Sequence, residues 1–105
     1  GADPLAVARE LDGAIYHVHL KDAKTEPVAA LNTMLDAKPI EAFRQRSWNF
    51  RIPGDGHDVE WWLAFVQTLR SVGYDGVLSI EHEDLTQPVT EALQTTCRRI
   101  RDLLN

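Results

Sequence analysis

Two short stretches of this chain carry side chains suited to chemistry. The first is Ile15-Tyr16-His17-Val18-His19-Leu20-Lys21-Asp22. The second runs from Val77 to Glu83, ends in Glu81-His82-Glu83 and leads into Asp84. Both read as strands: they hold β-branched and aromatic residues, lack interior Gly or Pro, and Gly13 breaks the chain before the first. Alternation puts Ile15, His17 and His19 on one face of the first strand and Tyr16, Val18 and Leu20 on the other. In the second strand Leu78 and Ile80 share a face, opposite Val77, Ser79, Glu81 and Glu83. Imidazole and carboxylate at the ends of two strands are the raw material of a divalent-metal site. They also suit two solvated strand edges, and residue type alone leaves both readings open.

The elements that must position these groups follow from local signals. Pro4 to Leu11 reads as a short helix with Asp3 as its cap and Pro4 at the first helical position. Asp58 to Val72 reads as a longer one, capped by Asp58. Its buried face is Trp62, Phe65, Val66, Leu69 and Val72, and Gly73 follows its end. A last helix is expected after Thr86, taken as its cap, with Val89, Leu93, Cys97, Ile100 and Leu104 as its apolar stripe. The irregular stretch from Lys21 to His57 offers helical turns at Pro27 to Leu35 and at Glu41 to Arg46. It ends in an aromatic run and a tight turn, where Gly54 and Gly56 supply either positive φ or close backbone approach. Strands joined through helices imply parallel pairing with right-handed crossovers. Two such strands are too few for a stable sheet. The order therefore suits an α/β chain that is one segment of a (β/α)8 barrel.

Composition narrows the function. The 105 residues suffice for one small domain. A net charge of -5 argues against nucleic-acid binding through a broad basic surface. No apolar run approaches the ~20 residues that span a bilayer, and no leader pattern is visible, so no membrane partner and a cytoplasmic location are expected. A sole cysteine, Cys97, excludes an internal disulfide and is expected as a small core residue. The opening Gly-Ala-Asp-Pro and a sole methionine at Met34 raise the expectation that position 1 lies inside a longer protein.

Three motifs in order complete the picture: His17-Val18-His19-Leu20-Lys21-Asp22, then Trp48-Asn49-Phe50-Arg51 with Gly54-Asp55-Gly56, then Gly73-Tyr74-Asp75-Gly76-Val77-Leu78-Ser79-Ile80-Glu81-His82-Glu83-Asp84. Together they resemble the sugar phosphate isomerase/epimerase family, the xylose isomerase-like TIM barrels. The resemblance covers nearly the whole chain. It implies that residues 1–105 are a partial barrel domain, the C-terminal part: the sixth helix, then strand seven, helix seven, strand eight and helix eight. It further implies a divalent ion (Mn, Mg, Co or Zn) held by two Glu, one Asp and one His, of which His19 and Glu81 are the two present here. The set would be incomplete within this chain. The implied chemistry is proton transfer next to a carbonyl through an enediolate, with Glu81 both metal ligand and catalytic carboxylate. The partner is a small sugar or polyol.

By the same resemblance Arg51 either holds a phosphate or hydroxyl of the substrate or is a solvated loop arginine. Lys21 and Asp22 are either supports of the ligands or a salt-bridged strand end. His17 is expected one layer deeper. His57, His82, Glu83 and the Trp61-Trp62 pair are expected in structural roles. Endonuclease IV, in the same superfamily, carries an Asp-x-His pair where this chain has Trp48-Asn49-Phe50, which lowers a DNA-repair reading. An inosose dehydratase-type lyase stays open, and Thr25 replaces an arginine that some epimerases carry. A different class competes: a truncated, non-catalytic barrel piece whose uncovered apolar face drives self-association into a homo-oligomer.

Overall fold

Three helices and four short strands make up the chain in a computed structural model that describes all of residues 1–105: α1 Pro4–Glu10, β1 Val18–Leu20, β2 Asp22–Thr25, β3 Trp48–Arg51, α2 Val59–Ser71, β4 Leu78–Ile80 and α3 Val89–Leu104. α1 starts where the sequence predicts. The Asp3 side chain accepts from the Leu5 N–H, and Pro4 stands at the first turn, where a missing N–H costs nothing. α2 is capped by Asp58, which accepts from the Trp61 N–H at 2.9 Å. Gly73 follows it at φ 75°, the left-handed conformation that ends a helix cheaply only in glycine.

β1 and β4 pair in parallel, with Val18 opposite Leu78, His19 opposite Ser79 and Leu20 opposite Ile80. α2 supplies the crossover between them. One apolar cluster binds these layers: Ala8 of α1, Val18 and Leu20 of β1, Trp62 and Leu69 of α2, and Ile100 of α3. Burying each larger member stabilises the fold by roughly 1.5–3 kcal/mol. No helix is long and apolar enough to cross a membrane.

Several expectations need correction. The parallel ladder is shorter than the predicted strands, which ran over 15–22 and 77–83. Outside the ladder, alternation fails. Ile15 packs against the core cluster, and Tyr16 is 90% exposed. The stretch before β3 contains only single 3₁₀ turns, Ala29–Leu31 and Ile40–Ala42, where longer helical turns were expected. An antiparallel hairpin was not foreseen: β2 pairs with β3, Asp22 opposite Arg51 and Thr25 opposite Trp48. It closes the 22-to-51 excursion on itself.

α3 is rotated from its predicted stripe. Ala92, Thr96 and Ile100 face inward, while Cys97 is exposed and so is not a core residue. The inner surface demands small side chains: Ala92 and Thr96 are both fully buried. Thr96 escapes the cost of a buried hydroxyl by donating to its own Ala92 carbonyl at 2.9 Å. Thr86 does not cap the helix. Pro88 occupies that position, and the Thr86 hydroxyl donates to Asp84 Oδ1 instead.

Candidate functional site at the strand ends

The parallel register stacks the polar side chains of β1 and β4 in levels. At the lowest, His17 Nε2 lies 2.7 Å from Ser79 Oγ, and its ring meets the His19 ring edge-on at 4.8 Å. His19 stands at the next level, exposed. Above it the Glu81 N–H donates to the Leu20 carbonyl at 3.1 Å, carrying the ladder one residue further. At that height Lys21 Nζ sits 3.2 Å from Glu81 Oε2 and 2.6 Å from Glu83 Oε2. It also lies 4.3 Å above the Phe50 ring. Partial burial pulls the Lys21 pKa down, but the hydrogen bonds and charges of Glu83 and Glu81 outweigh it, and the net shift is upward. Lys21 therefore bridges both carboxylates.

Of the two metal donors expected from the sequence, His19 is exposed and Glu81 is already paired with Lys21. Nowhere in the chain do three or more His, Cys, Asp or Glu side chains gather as a metal would need. A divalent ion of the Mg²⁺ or Mn²⁺ kind takes roughly six ligands. The residues of this chain do not make such a site by themselves.

The next residue along, Asp22, points the other way and is buried. Its carboxylate accepts from the backbone N–H groups of Gly54, Gly56 and His57, each at 3.0 Å. It accepts also from Trp62 Nε1 at 3.1 Å and His57 Nδ1 at 2.7 Å. Burial alone would raise its pKa; the donors from His57, Trp62 and Gly54 more than cancel that, and the carboxyl titrates below its ordinary value. Asp84 does the same beyond β4. It accepts from the Ile52 N–H at 3.2 Å and from Thr86 N–H at 2.9 Å, and its pKa is likewise lowered against the opposing effect of burial. The Arg51–His57 turn is thus strung between two buried aspartates.

The two glycines of that turn have different reasons. Gly54 adopts φ 97°. At Gly56 an added Cβ would lie 2.4 Å from the Ala23 carbonyl oxygen and 2.6 Å from Asp22 Oδ1. Only glycine lets the backbone come that close to the carboxylate.

Arg51, proposed from sequence as a substrate ligand or a solvated residue, is neither free nor solvated. Its Nη2 is 2.7 Å from Glu26 Oε1, Nη1 is 3.6 Å from Asp84 Oδ1, and the side chain is 15% exposed. Asn49, buried two residues earlier on the same strand, donates to the Phe43 carbonyl at 2.7 Å and to Glu26 Oε1 at 3.2 Å. Asp36 anchors the middle of the excursion. It accepts from the Lys38 and Ser47 N–H groups at 2.9 and 2.7 Å, which hold its carboxyl well below the usual range. Sequence reasoning missed Asp84, Asn49, Asp36 and the pairing of Asp22 with His57. The signal for Asp22 was present in the Gly54-x-Gly56 spacing, which asks what the turn approaches so closely.

Parallel strands linked through a helix, with charged side chains gathered where the strands end, place the chain in the α/β class. The sequence model of the xylose isomerase-like TIM barrel family matches residues 1–103, and the chain belongs to that family. It is 37% identical over 106 residues to a protein of Bacillus subtilis (strain 168) described as "Uncharacterized protein YfiH". That match takes in 100% of this chain and 34% of the relative. The chain thus spans about a third of the length of the curated relative it matches.

Proposed function

We propose that this chain is the C-terminal part of a metal-dependent sugar or polyol isomerase/epimerase. In this reading β1 and β4 are the last two strands of a (β/α)8 barrel, and the enzyme moves a proton next to a carbonyl through an enediolate. The family includes sugar isomerases, epimerases and endonuclease IV-like enzymes. The observation that supports the isomerase reading is the setting of Glu81. Its carboxylate is solvent-accessible, level with the strand ends, and fixed by Lys21 at 3.2 Å. A carboxylate so placed is open to a substrate and oriented to take a proton from it. His19 and Glu81 would contribute two donors to a divalent-ion set, with the others supplied by residues outside this chain. Bound there, such an ion supplies positive charge beside the carbonyl oxygen. Trp48 and Phe50, which stand where an endonuclease IV-like enzyme carries its Asp-x-His pair, offer no zinc donor, which speaks against that alternative.

In the full-length protein, His19→Ala and Glu81→Ala are each expected to abolish metal-dependent turnover of a panel of aldoses, ketoses and cyclic polyols. Circular dichroism should stay unchanged. Full activity in both variants would sink the assignment.

A further inference from the structure

Glu83, Lys21 and Glu81 form a chain of contacts at the strand ends. The parallel register sets it up. His19 stands opposite Ser79, so Lys21 and Glu81 come opposite one another two residues further on. Yet Lys21 Nζ lies closer to Glu83 Oε2, at 2.6 Å, than to Glu81 Oε2, at 3.2 Å. The tighter contact is with the carboxylate further along the chain, not with the one across the ladder. Lys21 is in turn the sole ion-pair partner of each glutamate.

A lysine stem is flexible, and an exposed lysine–carboxylate pair fixes neither partner well. This lysine is sheltered. Its side chain is 25% exposed, against 49% for Glu81 and 42% for Glu83. The Phe50 ring lies 4.3 Å from Nζ, where its face attracts the charge. That ring is itself met edge-on by Trp48 at 5.0 Å. Two glutamates and one aromatic face thus engage the ammonium, which has three donors to give.

We propose that Glu83 is a positioning residue for Glu81 and acts through Lys21. Glu83 draws the ammonium toward itself, and Phe50 shelters it there. Held so, Nζ reaches Glu81 at Oε2 and limits the directions that carboxylate takes. Without the charge of Glu83, the lysine either swings away or settles wholly on Glu81, and both movements displace the carboxylate. The effect on turnover rests on the isomerase reading; the positioning itself does not.

The test compares full-length wild type, Glu83→Gln, Lys21→Met and the double variant by crystal structure and by turnover of the same panel of aldoses, ketoses and cyclic polyols. Glutamine keeps the shape of Glu83 and removes its charge. The Glu81 side chain is expected in one conformer in wild type, and displaced or in several conformers in both single variants. Glu83→Gln is expected to lower kcat about tenfold or more with KM little changed. In the Lys21→Met background it should cost nothing further. An unchanged urea midpoint separates this loss from one of folding. A Glu81 side chain that keeps its place in Glu83→Gln and Lys21→Met overturns the proposal. So does a kcat loss from Glu83→Gln that is as large with Lys21 already removed. An inactive wild type counts against the isomerase reading alone, and the crystal structures then decide the role of Glu83 without it.

Discussion

Glu81 and Glu83 on one side, and Asp22 and Asp84 on the other, are acidic residues at the ends of the same two strands, yet they live in opposite surroundings. The glutamates are exposed and share one lysine. The aspartates are buried and satisfied mainly by backbone N–H groups. Parity along the strand separates Lys21 from Asp22, and side-chain length does the rest. A short aspartate can hold a tight turn, whereas a longer glutamate reaches into solvent. The buried pair builds the rim and the exposed pair faces solvent.

Removing a buried member should break this division most severely. Asp22→Ala leaves the N–H groups of Gly54, Gly56 and His57 and the Trp62 indole without their acceptor, and should cost about 3–5 kcal/mol. Urea denaturation measures it; a loss under about 1 kcal/mol would show the turn to be held by other means. The same carboxylate gives a pH signature. Its folded pKa lies below its unfolded value, so its stabilisation is complete above that unfolded value, ~3.9, and fades as pH falls through the folded one. Wild-type stability should therefore drop more steeply below that point than that of Asp22→Asn.

Gly56→Ala tests the close approach rather than the charge. The new Cβ must push the turn away from Ala23 and Asp22, which should cost about 1–3 kcal/mol. A chemical-shift map should confine the change to residues near the turn. Unaltered stability would mean that the turn gives way freely. Glu83→Gln sharpens the comparison from the other side. An exposed ion pair is worth ~0–1 kcal/mol, so the denaturation midpoint should hardly move. A large loss there would erase the distinction between the two pairs.

Much of the frame was legible from local chemistry. The Asp3 and Asp58 caps, Gly73 after α2 and the core face of α2 carry their reasons within a few residues. The close approach at Gly56 was legible as one of two uses for a glycine. The hairpin was not, because Thr25 and Trp48 meet across a long irregular stretch with no two-residue turn to announce it. The inner face of α3 was misread because Thr96 counts as polar until its hydroxyl is seen to bond its own helix. The outward setting of His19 between the buried Val18 and Leu20 followed from alternation inside the ladder. What Asp22, Arg51 and Asp84 hold is tertiary, and no spacing along the chain encodes it.

The β2–β3 hairpin fastens both ends of the segment between Thr25 and Trp48, and the Glu26 N–H adds a bond to the Ser47 carbonyl at 2.8 Å. Across that closure Glu26 bonds Arg51 and Asn49, and Phe43 bonds Asn49. Since lengthening a closed loop twofold costs only ~0.6 kcal/mol, the intervening residues form a module in which insertions and deletions leave the glycine turn and the strand ends in place. The hairpin makes this segment a place where relatives can diverge in length and recognition while keeping one rim.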